Sequence, residues 1–252
     1  MIESFGILYP GSKNTVVRRM PTPPGRVAID LFGGGGAIAH YVAKRGFGYG
    51  DFDLFSEAKY ERVIYNERDP RVAEAFRQAL TGEWRRAFPL PRSNEELFAR
   101  ESDVIAQSIC AFVPFIKSHM VRKPSEIPQR INRFKRVEAD HLPIEVKVGD
   151  FREFEPLRDD ASIVWFIDPP YRETMKYGSD SGWDWGWTDG IAGEIVGFDS
   201  FLPEGFELIW GRRDALRSDS EGYPELCFRR KKKGGVDIAP RSLLPNFRSL
   251  LS

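Results

Sequence analysis

Val27-Ala28-Ile29-Asp30-Leu31-Phe32-Gly33-Gly34-Gly35-Gly36 is the stretch from which the fold class can be read. A short apolar run holding one acid ends in four glycines. Residues 37–45 then have helical character. The pattern is a strand, a tight turn and a helix. Glycines after a first strand let the backbone approach a ligand closely and turn into the helix. Lys with Ser or Thr does not follow them, so this is not a Walker-type phosphate loop. Gly34, Gly36 and Ala39 loosely fit the dinucleotide pattern G-x-G-x-x-A, which a plain structural turn also satisfies.

Working outward, 62–67 reads as a second buried strand. Pro70 suits the first turn of a helix running to residue 79. Residues 144–148 alternate as a strand, and 163–167 form a continuous apolar run expected to be buried on both faces. Residues 206–210 read as another strand. Residues 226–232, then Gly234-Gly235, then 236–238 read as a hairpin. A long helix is expected from Glu95 towards Lys117 with Asn94 as N-cap, and another over 125–137 with Pro128 in its first turn. Strands alternating with helices imply an α/β, doubly wound, Rossmann-like sheet, mostly parallel with a C-terminal antiparallel hairpin. Residues 81–140 show no good strand. They are expected to form a small helical insertion in a domain made of 1–80 and 141–252.

Bulk composition fits this reading. The chain has 252 residues, 41% hydrophobic and 29% charged, which suits one ordinary α/β domain. Lys and Arg total 37 and so do Asp and Glu, so overall charge points to no nucleic-acid partner and local patches must carry that question. Two cysteines and three histidines (His40, His119, His141) lack metal-ligand spacing, and no metal is expected. A basic-then-apolar leader is missing, as is any run of about 18 apolar residues. A cytoplasmic chain not bound to a membrane is expected.

Ligands of open parallel sheets bind beyond the carboxyl ends of the strands. Four polar features fall there: Asp30 with the glycines, Glu67, Asp150 with Phe151, and Asp168-Pro169-Pro170-Tyr171. A carboxylate at Glu67 can accept both hydroxyls of a ribose, or be a surface acid at a strand end. The last segment is the most specific. Two prolines remove two amide donors and stiffen the turn. The Pro169 carbonyl is then free to stand beside the Asp168 carboxylate, and the two acceptors match the two hydrogens of an aromatic amine. Accepting both draws the nitrogen towards a tetrahedral shape and frees its lone pair. Tyr171 offers a flat face for stacking.

These segments resemble those of the Dam-type DNA adenine N6-methyltransferases (D12 class, alpha group), in that family's order. Tyr9-Pro10-Gly11-Ser12-Lys13 resembles the N-terminal aromatic-x-Gly-Gly-Lys element, with serine for the second glycine. Asp30 to Gly36 resembles the cofactor loop. Asn66-Glu67-Arg68-Asp69-Pro70 resembles the ribose segment, with Glu67 where aspartate is usual. Gly149-Asp150-Phe151 resembles the segment meeting the cofactor adenine, and Asp168 to Tyr171 matches the catalytic motif without change. The resemblance implies a class I methyltransferase using S-adenosyl-L-methionine. Tyr9 and Lys13 would close the cofactor and target pockets. Phe32, Gly33 and Gly35 would line the methionine part. Glu67 would hold the ribose and Asp150 the adenine amine, with Phe151 beside the ring. Asp168 would orient the target amine. The adenine of a duplex would have to be flipped out. A cognate restriction nuclease is compatible with this family.

A basic cluster in the insertion, Lys117, Arg122, Lys123, Arg130, Arg133, Lys135 and Arg136, reads either as a DNA-phosphate surface or as a solvated helix face. Arg229 to Lys233 is either a phosphate contact or edge-strand protection. Trp183, Trp185 and Trp187 lie in a loop that either closes over a flipped base or packs under the insertion. Competing functions are a methyltransferase on RNA adenine or cytosine N4, an inactive binding homologue, and a nicotinamide dehydrogenase. The last leaves the Asp-Pro-Pro-Tyr segment without a purpose.

Overall fold

The fold comes from a computed structural model that describes residues 4–9, 11–46, 60–111, 123–170, 182–213 and 224–231. The strands are β1 Val27–Asp30, β2 Arg62–Glu67, β3 Ile144–Val148, β4 Ile163–Ile167, β5 Glu194–Asp199, β6 Glu207–Arg213 and β7 Pro224–Arg230. They form one sheet in the order β3-β2-β1-β4-β5-β7-β6. β1 to β5 pair in parallel, and β7 runs antiparallel to both β5 and β6. This is the expected Rossmann-like sheet, mostly parallel with antiparallel C-terminal strands. Its order reverses between β1 and β4, where Val27 pairs with Ile163 and Asp30 with Phe166. That reversal opens a crevice beyond the carboxyl ends of the two central strands.

Strand alternation divides the core into two faces. Ala28, Val63, Tyr65, Val164, Phe166, Val196 and Phe198 point to one face, which helices α1 Ala37–Gly46 and α2 Pro70–Thr81 cover. Val27, Ile29, Ile64, Ile163, Trp165, Ile167 and Ile195 point to the other. Among the described residues, that second core draws nothing from α1 or α2. Aromatic side chains on 3-10 turns fill it instead: Phe151 and Phe154 from Phe151–Leu157, and Trp185 from Trp185–Gly190, with Trp183 beside them.

The predicted strands at 62–67, 144–148 and 163–167 form with those bounds. β5 is a strand the sequence did not announce, because Gly197 interrupts its apolar pattern. A Cβ there would lie 2.4 Å from the Phe228 ring and 2.7 Å from that of Trp185, so the glycine makes room for the aromatic layer. The antiparallel C-terminal pair is β6 with β7; the expected return arm 236–238 lies outside the described residues.

The long helix expected from Glu95 forms as two pieces over the described residues, α3 Asn94–Ala99 and α4 Val104–Cys110. Ser93, not Asn94, caps α3 by accepting the Glu96 amide at 3.2 Å. Asp103 restarts the second piece by accepting the Ile105 and Ala106 amides at 3.1 and 2.9 Å. Then α5 Ile127–Ala139 follows, with Pro128 in its first turn as expected. Leu97, Ile105, Ile109, Phe134 and Val137 from these helices are buried in the same core as the first sheet face. No helix among the described residues is long and apolar enough to cross a membrane.

Candidate functional site

The glycine turn is stitched to its surroundings by its own backbone. Gly33 N–H donates to Asn66 O at 2.7 Å, Ile7 N–H to Gly35 O at 2.8 Å, and Tyr65 Oη to Gly34 O at 2.7 Å. Gly34 and Gly36 have φ of +49° and +72°, a region that costs a side-chain-bearing residue about 1–2 kcal/mol. A Cβ on Gly33 would sit 2.1 Å from the buried Tyr65 ring. Tyr9 lies over the turn, its ring 2.9 Å from where a Gly34 Cβ would be. The N-terminal segment thus packs directly on the glycine turn.

Asp30 ends β1 fully buried. Its Oδ2 accepts the Ala39 amide at 3.0 Å, which caps the first turn of α1. Oδ1 is buried with no donor among the described residues. Burial holds this carboxyl well above the usual aspartate range. Glu67, at the end of β2, reaches back to the turn. Its Oε2 accepts Gly34 N–H at 2.8 Å and its Oε1 accepts Asp69 N–H at 2.9 Å. Burial raises its pKa against the pull of those two amides. Asp150 follows β3 and forms a capping box with Glu153. It also accepts from the Arg152 guanidinium at 3.1–3.2 Å. Phe151 is buried, and its ring lies 5.7 Å from Phe32 and 5.1 Å from Trp183.

Asp168 follows β4 directly, and Pro169 is buried while Pro170 is exposed. Its Oδ1 lies 2.8 Å from Lys13 Nζ, and its side chain is 15% exposed. Burial pushes its pKa up to about 6, although the Lys13 ammonium opposes the rise; Glu225 and Asp199 add to it. Those two acids were not anticipated. Asp199 ends the strand that Gly197 conceals. Glu225 is the second residue of β7, and antiparallel pairing of Leu226 with Asp199 carries it to the same edge. The glycine turn follows β1, Glu67 ends β2, Asp150 follows β3 and Asp168 follows β4, so all lie at the carboxyl ends of the parallel strands, and Lys13 meets Asp168 there. Tyr171, Lys117 and Arg122 lie outside the described residues.

The insertion corrects one expectation. Arg130 is buried, and its Nη1 donates to the carbonyls of Ser108, Ile109 and Ala111 at 2.9, 3.2 and 2.7 Å. It satisfies the end of α4 rather than facing a phosphate. Arg133 and Arg136 are half-buried, the latter donating to Ser4 Oγ at 2.7 Å, while Lys123 and Lys135 are exposed. The five described basic residues thus do not share one exposed face. The tryptophans correct another: they pack, but under the sheet rather than under the insertion. Trp183 lies 5.0 Å from Phe32, Trp187 is 5.9 Å from Trp165, and Trp185 Nε1 donates to Asp199 at 2.8 Å.

No family model matches the sequence, and no curated protein does. Among solved structures, the chain is similar to the putative methyltransferase yhhF from Escherichia coli, with 11% identity over 88% of this chain and 81% of that one and a TM-score of 0.35. It is similar to the 23S rRNA methyltransferase ErmE at 12% identity over 88% and 69%, with a TM-score of 0.42. It is also similar to the precorrin 8w decarboxylase of Methanobacterium thermoautotrophicum at 12% identity over 91% and 99%, with a TM-score of 0.39. The assignment of an activity therefore rests on the chain's own residues.

Proposed function

We propose that this chain is an S-adenosylmethionine-dependent methyltransferase acting on N6 of an adenine flipped out of DNA. Asp168 carries the reading. It is an ionisable carboxyl at the end of the central strand β4, stiffened by two prolines, and it already holds an N–H donor, Lys13 Nζ, at 2.8 Å.

The crevice fits an adenosine-bearing cofactor. The glycine turn leaves no room for side chains, Asp30 Oδ1 is a buried acceptor still lacking a donor, and acids close β1 and β2. Glu67 stands where ribose hydroxyls would bind, Phe32 and Phe151 would flank the ligand, and Asp150 would take the adenine amine. When bound, S-adenosylmethionine supplies a methyl group on a positively charged sulfur. The chain's own contribution is position and polarisation. Asp168 and the Pro169 carbonyl accept the two hydrogens of the target amine, which localises its lone pair. The proton shed by the methylated nitrogen can rest on an Asp168 oxygen, whose proton affinity burial has raised.

The test is to incubate the protein with methyl-labelled cofactor and DNA or RNA, then digest to nucleosides. Label in N6-methyladenine from DNA is expected, falling by about 10²-fold or more in Asp168→Ala, the scale of losing a preorganised polar group. Label in RNA adenine or in cytosine N4 would move the substrate to the competing readings. Full turnover by Asp168→Ala would remove the mechanism.

A further inference from the structure

Lys13 is 4% exposed and belongs to the 3-10 turn Lys13–Thr15. Its Nζ lies 2.8 Å from Asp168 Oδ1 and 3.4 Å from Glu225 Oε1. It donates to Gly11 O at 3.2 Å and sits 5.6 Å above the Phe198 ring. One ammonium is thus held between carboxylates from two different strands. Asp199, the third acid at this edge, is engaged by the Trp185 indole and by Ser200 N–H at 2.6 Å.

An ammonium and an aromatic amine are N–H donors of similar size. If Asp168 is the amine acceptor, as proposed above, Lys13 competes with the amine for Oδ1, the carboxylate oxygen it already holds. An amine that docks on Oδ1 displaces the lysine from it. Releasing a buried charge with no partner is costly. Among the described residues, Glu225 is a carboxylate within reach that can receive it without the lysine leaving the site.

We propose that Glu225 is a positioning residue: it takes over the Lys13 ammonium when the target amine takes over Asp168. No covalent bond changes; one N–H···O contact is exchanged for another. The positive charge stays beside the reacting centre but moves off the catalytic carboxylate, which leaves Asp168 freer to accept from the amine.

The readout is the ¹⁵Nζ resonance of Lys13 in the full chain. Asp168→Asn leaves Glu225 as the charged partner at the ammonium and sets the reference position for the displaced state. Adding S-adenosylhomocysteine and an adenine-containing DNA duplex to the wild-type protein should move the resonance to that reference. Glu225→Gln should block the move and raise KM for DNA about tenfold, the scale of one hydrogen bond to a charged group, with kcat changing less than about twofold. Glu225→Asp keeps the charge and should restore part of the loss, which separates positioning from a folding defect. A wild-type resonance that stays in place while DNA is methylated would overturn the exchange and leave Asp168 as acceptor. A stationary resonance with no methylation would overturn both.

Discussion

Asp168 must be ionised to receive the proton shed by the methylated amine, and burial pushes its pKa up to about 6. The rate of methyl transfer should therefore fall on the acid side with a midpoint near pH 6, and kcat/KM measured across that range reads it directly. A midpoint in the ordinary aspartate range would mean that Asp168 is solvated during turnover. Linkage has the matching sign. A raised folded-state pKa contributes stability that is present below the ordinary aspartate range and lost as pH rises through about 6, so the group that works at neutral pH also costs stability there. Gly33 tests the other side of the crevice. A methyl group placed there would overlap Tyr65, which is buried and tied to Gly34 O by its hydroxyl, so the ring has nowhere to go. Gly33→Ala should lose about 1–3 kcal/mol in urea unfolding, the usual cost of overpacking. Both positions were legible in the sequence, because strand-end acids and a glycine run are local signals. Glu225 was not. It reaches the site through the antiparallel pairing of β7 with β5, a tertiary fact with no local trace.

At the scale of elements, the exchange of roles by Arg130 has a measurable consequence. Its guanidinium serves three carbonyls around the end of α4, so Arg130→Met should leave them without that donor. It should cost about 2–4 kcal/mol in denaturant unfolding, as broken buried networks do. Methyl transfer by the folded fraction should persist. Loss of DNA binding without loss of stability would return Arg130 to the surface. The same residue shows where sequence reading stops. A run of basic residues on a helix looks like a patch until packing decides which of them point inward. Helices α3 and α4 make a similar point: one helix was expected to run through residues 100–103, and the cap at Asp103 starts a second one. β5 was hidden by Gly197 for a reason that exists only in three dimensions, the Trp185 and Phe228 rings above it. By contrast β4 was readable because a strand buried on both faces is apolar throughout, β2 by its apolar centre at Val63, Ile64 and Tyr65, and the edge strand β3 by its alternation of apolar and charged residues.

At the scale of the whole molecule, basic and acidic residues balance at 37 each, so binding to a polyanion must come from a local surface. The proposed DNA contact on the insertion is now limited by geometry. With Arg130 buried and Arg133 and Arg136 half-buried, Lys123 and Lys135 are the described members of the cluster that stand exposed. Each phosphate neutralised on duplex DNA releases counterions and contributes about 0.9 to the slope of log K against log salt. Replacing both lysines by Ala should therefore flatten that slope by about 1.8, weaken binding most at low salt, and leave the unfolding midpoint unchanged because both side chains are solvated. Fluorescence anisotropy with a labelled duplex across a salt series measures the slope. An unchanged slope would take the DNA contact off these two lysines. A slope that collapses altogether would mean that these two residues carry the whole electrostatic footprint, which a neutral molecule with one small basic surface allows and a broad DNA-binding face does not.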